Sequence, residues 1–256
     1  MQLRETIELS GIPFPKPLPI QAEILIEFFS QNGFKFEKLD RVLLLNEIYS
    51  PNNLSKVKKL IESKGLDLKI DHSIWTEYED SDFKENPLWI LYFPEIWIDG
   101  IDFKRVCKIC KKRKIIIDFN VRIPIVKSKK PIVTVNGQFT IVKKELKKRI
   151  AEELSGARFE PFDETEEYFH LLSRSDLGEL INTPDDFFGY NGICPECKLP
   201  VFKMFYGSLT YSKSNWNGED IVSGTFHSGV FFTKKAYKLL KSVEKETIRD
   251  SVVILK

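Results

Sequence analysis

Cysteine is scarce in this chain and none is left over: all four sit in two CxxC pairs, Cys107-Lys-Ile-Cys110 and Cys194-Pro-Glu-Cys197. Long apolar runs are missing too. The start, Met1-Gln2-Leu3-Arg4-Glu5-Thr6-Ile7-Glu8, lacks the apolar stretch of a secretion signal. The most apolar run, Leu88 to Phe93, is far short of the roughly 20 residues that cross a bilayer. These absences predict a protein without a membrane segment, held in the reducing cytoplasm, where thiolates suit metal better than disulfides. Charge of neither sign is in excess. With 39 basic and 37 acidic residues the net charge is +2, so no global field selects nucleic acid. Enzyme signatures are absent as well: there is no Ser-His-Asp order, phosphate loop or HExxH helix. The three histidines, His72, His170 and His227, sit in unrelated contexts and read as surface or hydrogen-bonded residues, with His227 the reserve metal ligand.

Against this background the CxxC pairs are the chemistry of the chain. Two residues between thiols is the spacing of a zinc knuckle, and two knuckles complete a tetrahedral four-thiolate site with Zn–S distances of about 2.3 Å. The 83 residues between Cys110 and Cys194 exclude one compact finger. A shared metal must staple distant parts of the chain, around a folded excursion that returns. Buried thiols and thioredoxin-like redox chemistry are the alternatives. A redox CxxC opens a helix after a strand, whereas Lys111 to Ile117 and Leu199-Pro200-Val201-Phe202 read as strands leaving a turn, which favours the knuckle. Lys111 and Lys198 stand where knuckles usually carry glycine.

The predicted architecture is α+β. Residues 1–87 form an N-terminal α/β subdomain: Pro13, Pro15, Pro17 and Pro19 make an extended entry, and Ile20, Ile24, Leu25, Phe28 and Phe29 recur at helical spacing until Gly33. Phe34–Phe36 and Arg41–Leu45 read as short strands. Leu54, Val57, Leu60 and Ile61 line a second helix after Ser50-Pro51, and Leu66–Ile70 reads as a strand. Residues 88–256 hold a double-CxxC domain with an internal repeat, about 100–165 and 166–256. Each half reads knuckle, hairpin, helix, strand, with helices starting at Lys143-Lys144 and Lys234-Lys235 and closing strands at Ala157–Phe162 and Val252–Leu255. The two modules are joined by a zinc-ribbon-like site.

Charges are segregated. Lys104, Arg105, Lys108, Lys111, Lys112, Arg113 and Lys114 collar the first knuckle, while Glu77 to Glu85 and Asp163 to Glu167 are acid-rich. The collar would suit phosphate, but no interleaved aromatics accompany it, so it reads first as a solvated hairpin. Aromatics do sit among acids at Trp75, Tyr78, Glu79, Asp80 and Asp82, the expected partner-binding stretch.

The ordered set of parts resembles the double-CXXCG motif family of bacterial immunity proteins that neutralise polymorphic toxins. The pieces that carry it are Cys107–Cys110; Lys143 to Phe162 with Ser155-Gly156-Ala157-Arg158-Phe159-Glu160-Pro161; Tyr168-Phe169-His170-Leu171-Leu172 leading to Cys194–Cys197; and Trp216-Asn217-Gly218-Glu219-Asp220-Ile221 running to Leu240. Lys111 and Lys198 replace the two family glycines. The resemblance covers about residues 88–256. It implies a cytoplasmic protein with no catalytic residues that occludes a cognate toxin protein, with structural zinc on Cys107, Cys110, Cys194 and Cys197. The rival reading is a zinc-ribbon nucleic-acid-binding protein using the collar Lys104–Lys114.

Overall fold

A computed structural model describes residues 1–11, 23–39, 42–98, 107, 109, 128–137, 139–162, 166–196, 199–205, 207–224 and 226–256. The proline-rich entry and the strands expected from Lys111 to Ile125 lie outside the described residues. The chain divides into two compact units, Met1–Tyr78 and Glu79–Lys256.

The first unit contains β1 (Gln2–Gly11), α1 (Glu23–Gln31), β2 (Phe36–Lys38), β3 (Val42–Ile48), α2 (Asn53–Ser63) and β4 (Leu68–Glu77). Its antiparallel sheet runs β2-β3-β1-β4. Leu25 and Phe29 of α1, four residues apart on one face, and Val57 and Ile61 of α2 share one core with Ile7, Leu9, Leu43 and Leu45 of the sheet. Both helices match the periodicity that predicts them. Strand β1 has no such signal, because Glu5 takes the inward position before Ile7 and Leu9. That buried carboxylate accepts hydrogen bonds from Asn53 Nδ2 at 2.7 Å and the Ser50 amide at 3.1 Å, and meets His72 Nε2 at 2.8 Å, which satisfies a group otherwise costly to bury.

The second unit contains α3 (Asp80–Glu85), β5 (Leu88–Tyr92), β6 (Glu95–Ile96), β7 (Ile132–Val135), β8 (Phe139–Lys143), α4 (Lys144–Glu153), β9 (Ala157–Pro161), β10 (Tyr168–Ser173), β11 (Phe187–Phe188), β12 (Met204–Phe205), β13 (Leu209–Tyr211), β14 (Ile221–Gly224), β15 (His227–Thr233), α5 (Lys234–Val243) and β16 (Ile248–Leu255). Residues 79–87, read from sequence with the N-terminal part, pack here: the Phe83 ring meets Trp89 edge-on at 5.6 Å, and the Arg249 guanidinium lies 4.4 Å over Phe83.

Two five-stranded sheets, β6-β7-β8-β10-β9 and β13-β16-β5-β15-β14, accompany the short ribbon β11-β12. In each large sheet an antiparallel hairpin feeds directly into a helix, β7-β8 into α4 and β14-β15 into α5. The helices bury Leu146 and Ile150, and Ala236, Leu239 and Leu240. The strand after each helix does not pair with the strand before it. One antiparallel strand separates them, β10 between β8 and β9, and β5 between β15 and β16. The strand expected over Leu199-Pro200-Val201-Phe202 is reduced to a single antiparallel bridge between Pro200 and Ile193, and the ladder forms further on, where Met204–Phe205 pair with Phe187–Phe188.

Candidate functional site

The second CxxC sits at the tip of a hairpin. Asn191 N donates to Val201 O at 2.7 Å, Val201 N to Gly192 O at 2.8 Å, and Cys194 N to Leu199 O at 2.9 Å. Packed aromatics surround its base: Phe187 lies 4.8 Å from Phe202 and 5.1 Å from Phe205, and Phe226 lies 5.6 Å from Phe205. Rings with few rotamers hold such a tip stiffly.

From the other end of the 83-residue excursion, Cys107 arrives at that tip. Its Sγ lies 3.5 Å from Cys194 Sγ, and both residues are buried, 3% and 1% exposed. A disulfide would bring the sulfurs to about 2.05 Å. Two thiolates on one tetrahedral zinc stand about 3.8 Å apart, the edge set by Zn–S bonds of about 2.3 Å. The observed separation is close to that edge, so the pair fits half of a shared site. Cys110 and Cys197 lie outside the described residues, and among the described residues no group of three or more ligating side chains is gathered.

Glu196, from the spacer of the second pair, reaches across to the first pair. Its Oε2 accepts from Cys107 Sγ at 3.2 Å and from the Ile109 amide at 3.4 Å. Cysteine spacing carries no trace of this contact; the signal in the sequence is only that a carboxylate stands between two thiols. Upstream of Cys107, Ile98 has both backbone groups held by the Asn136 side-chain amide, which accepts from the Ile98 amide at 2.8 Å and donates to its carbonyl at 3.0 Å.

The remaining sequence candidates are scattered. Trp75 is 40% exposed on β4, and Tyr78 is half-buried at the end of the first unit. Asp80 pairs with Arg249 at 2.6 Å, and Asp82 accepts from the Glu79 amide at 2.8 Å in the capping box of α3. These acids therefore have work inside the chain, and Glu79 is exposed. His72 belongs with Glu5 in the first unit. His227 opens β15. The collar lysines and arginines lie outside the described residues. Trp97, 74% exposed, is a more open aromatic than Trp75, and nothing in its local spacing singles it out.

Two of the motif pieces beyond the cysteines, the one containing Ser155 and the one containing Asp220, meet in a clasp. Asp220 Oδ2 accepts from the Ser155 amide at 3.1 Å and from Lys235 Nζ at 3.2 Å, while its Oδ1 accepts from Thr233 Oγ1 at 2.8 Å. Ile221 N donates to Ser155 O at 3.1 Å. Burial alone would raise the Asp220 carboxyl, but these donors outweigh it and hold the group below its ordinary range.

His170 on β10 is buried edge-on against Phe139, with ring centroids 5.4 Å apart. Burial first, and the Arg158 charge second, push it down to about 4 from 6.5. Above pH 6.5 the ring is neutral folded and unfolded, and it adds no pH dependence. As pH falls from 6.5 towards 4 only the unfolded chain takes up the proton, so stability drops, by about 3 kcal/mol over the whole window. Urea midpoints at neutral and mildly acidic pH should show this loss, and His170→Leu should reduce it; an unchanged acid slope would count against a neutral buried ring.

No protein-family model, curated protein or solved structure matches this chain. No helix among the described residues is long and apolar enough to cross a membrane.

Proposed function

We propose that this protein is an immunity protein that binds and neutralises a cognate bacterial toxin domain, and that Cys107, Cys110, Cys194 and Cys197 hold one structural zinc. The observation that carries the reading is the 3.5 Å approach of Cys107 to Cys194, since a double-CxxC immunity fold requires its two knuckles to face each other. Four thiolates close the coordination sphere and leave no position for substrate. The metal then stabilises the fold, and function falls to the surface. Ser155 and Asp220 support the same view, because their polar groups are engaged with one another in a structural clasp.

The shared plan of the two large sheets supports a duplicated module as the origin of the long cysteine spacing. Each has a hairpin, a helix that starts at the hairpin's end, and a following strand displaced by one antiparallel neighbour. Superposition of β7-β8-α4-β9 on β14-β15-α5-β16 is the geometric form of that claim.

Co-expression decides the functional claim. With the toxin encoded beside it, the protein should restore growth and co-purify with the toxin. Failure against every neighbouring candidate, together with salt-sensitive retention on DNA or RNA, would transfer the assignment to the nucleic-acid reading.

A further inference from the structure

Between α4 and α5 lies an open cleft of about 530 Å3 whose walls are mainly cationic, with Arg149 and one acid, Glu153, from one helix and Lys234, Lys235 and Lys238 from the other. Its floor is apolar, formed by Leu154 and Leu239, both buried. The two helices together carry eight lysines and arginines against three glutamates, in a chain whose net charge is only +2. Such local excess implies a surface kept for a purpose that overall solubility does not require.

The charges differ in how they are used. Arg149 pairs with Glu153 at 3.2 Å along its own helix, and Lys235 reaches Asp220 at 3.2 Å. Lys234 and Lys238 are exposed and have no carboxylate partner among the described residues. They lie in the first turns of α5, a ten-residue helix, where the helix dipole adds positive potential. The cleft therefore offers two uncommitted ammonium groups above an apolar floor.

We propose that this cleft receives an acidic polypeptide segment, one that places glutamate or aspartate side chains on Lys234 and Lys238 and an aliphatic side chain on Leu154 and Leu239. Charge complementarity selects an anion, and the lining selects its class. Among the described residues no aromatic ring lines the cleft to stack a base, whereas leucines beneath lysines match an amphipathic acidic peptide. That the segment belongs to a toxin rests on the immunity reading; the binding chemistry does not.

The test uses the full chain, a fluorescent peptide of glutamates interspersed with leucines, and a single-stranded oligonucleotide of equal charge. Anisotropy should show peptide binding that Lys234→Glu with Lys238→Glu weakens by about tenfold or more, as expected for reversing two interfacial charges. Lys58→Glu with Lys59→Glu, a reversal of exposed lysines on α2, should leave binding unchanged, and melting curves should confirm that both variants fold. Tighter binding of the oligonucleotide through Lys234 and Lys238 would overturn the proposal in favour of nucleic acid. Absence of peptide binding, or equal loss in both variants, would also overturn it. Co-expression separates the two claims. Peptide binding without growth rescue by the native protein removes the immunity reading alone, while rescue that the Lys234→Glu and Lys238→Glu variant matches removes the cleft as the docking surface.

Discussion

Cys194→Ser should cost the second unit about 3 kcal/mol or more, and a strong chelator should lower the melting temperature of the native protein but not that of the variant. Cys194 is 1% exposed and lies 3.5 Å from Cys107, so a bound zinc would be held in a dry, closed setting where losing one ligand forfeits most of its binding free energy. In a metal-free site the same substitution merely puts a hydroxyl where a small apolar sulfur was, at about 1–2 kcal/mol, and chelator would do nothing. The chelator arm and metal analysis therefore separate the two cases. One zinc per chain is expected; a folded, metal-free protein with four titratable thiols would overturn the assignment.

Gly156→Ala should be nearly as damaging, for a wholly different reason. Gly156 has φ +84°, and a Cβ there would stand 2.2 Å from the Ile221 carbonyl oxygen and 2.9 Å from Glu219 Cβ. Backbone cannot swing aside as a flexible side chain can. The left-handed conformation adds roughly 1 kcal/mol and the forced separation a further 1–3 kcal/mol, so a loss of about 3 kcal/mol is expected in urea unfolding. Gly218 supplies the control, with φ +85° and nothing within 4 Å of its added Cβ. Gly218→Ala should show the conformational cost alone. If the two substitutions cost the same, the close approach of α4's exit to β14 is not what fixes Gly156.

What the sequence made legible was whatever repeats with the period of its own element. Helices α1, α2, α4 and α5 each present apolar residues three and four apart, and each lies where that spacing puts it. Strand β1 was hidden by Glu5, a charge at an inward position whose partners, Ser50, Asn53 and His72, come from distant parts of the first unit. Strand β5 was read only as a run too short for a membrane, because a strand buried on both faces shows no alternation. At the site, the facing of Cys107 and Cys194 followed from paired spacing, while Glu196 did not, since its contact with Cys107 exists only once the excursion closes. The acids at Asp80 and Asp82 were read as partner-binding residues; within the chain, Arg249 of β16 engages Asp80 and the capping box of α3 engages Asp82.

The placement of β5 at the centre of its sheet, between β15 and β16, sets a timetable for folding. All four strands of the first unit are synthesised within Met1–Tyr78, so that unit has its partners early. Leu88–Tyr92 must wait for His227–Thr233 on one side and Ile248–Leu255 on the other, nearly the whole length of its unit away. Such non-local pairing is slow to nucleate and leaves both edges of an apolar strand open meanwhile. During synthesis, the arrival of Ile248–Leu255 therefore closes the window in which β5 is most exposed to misassociation.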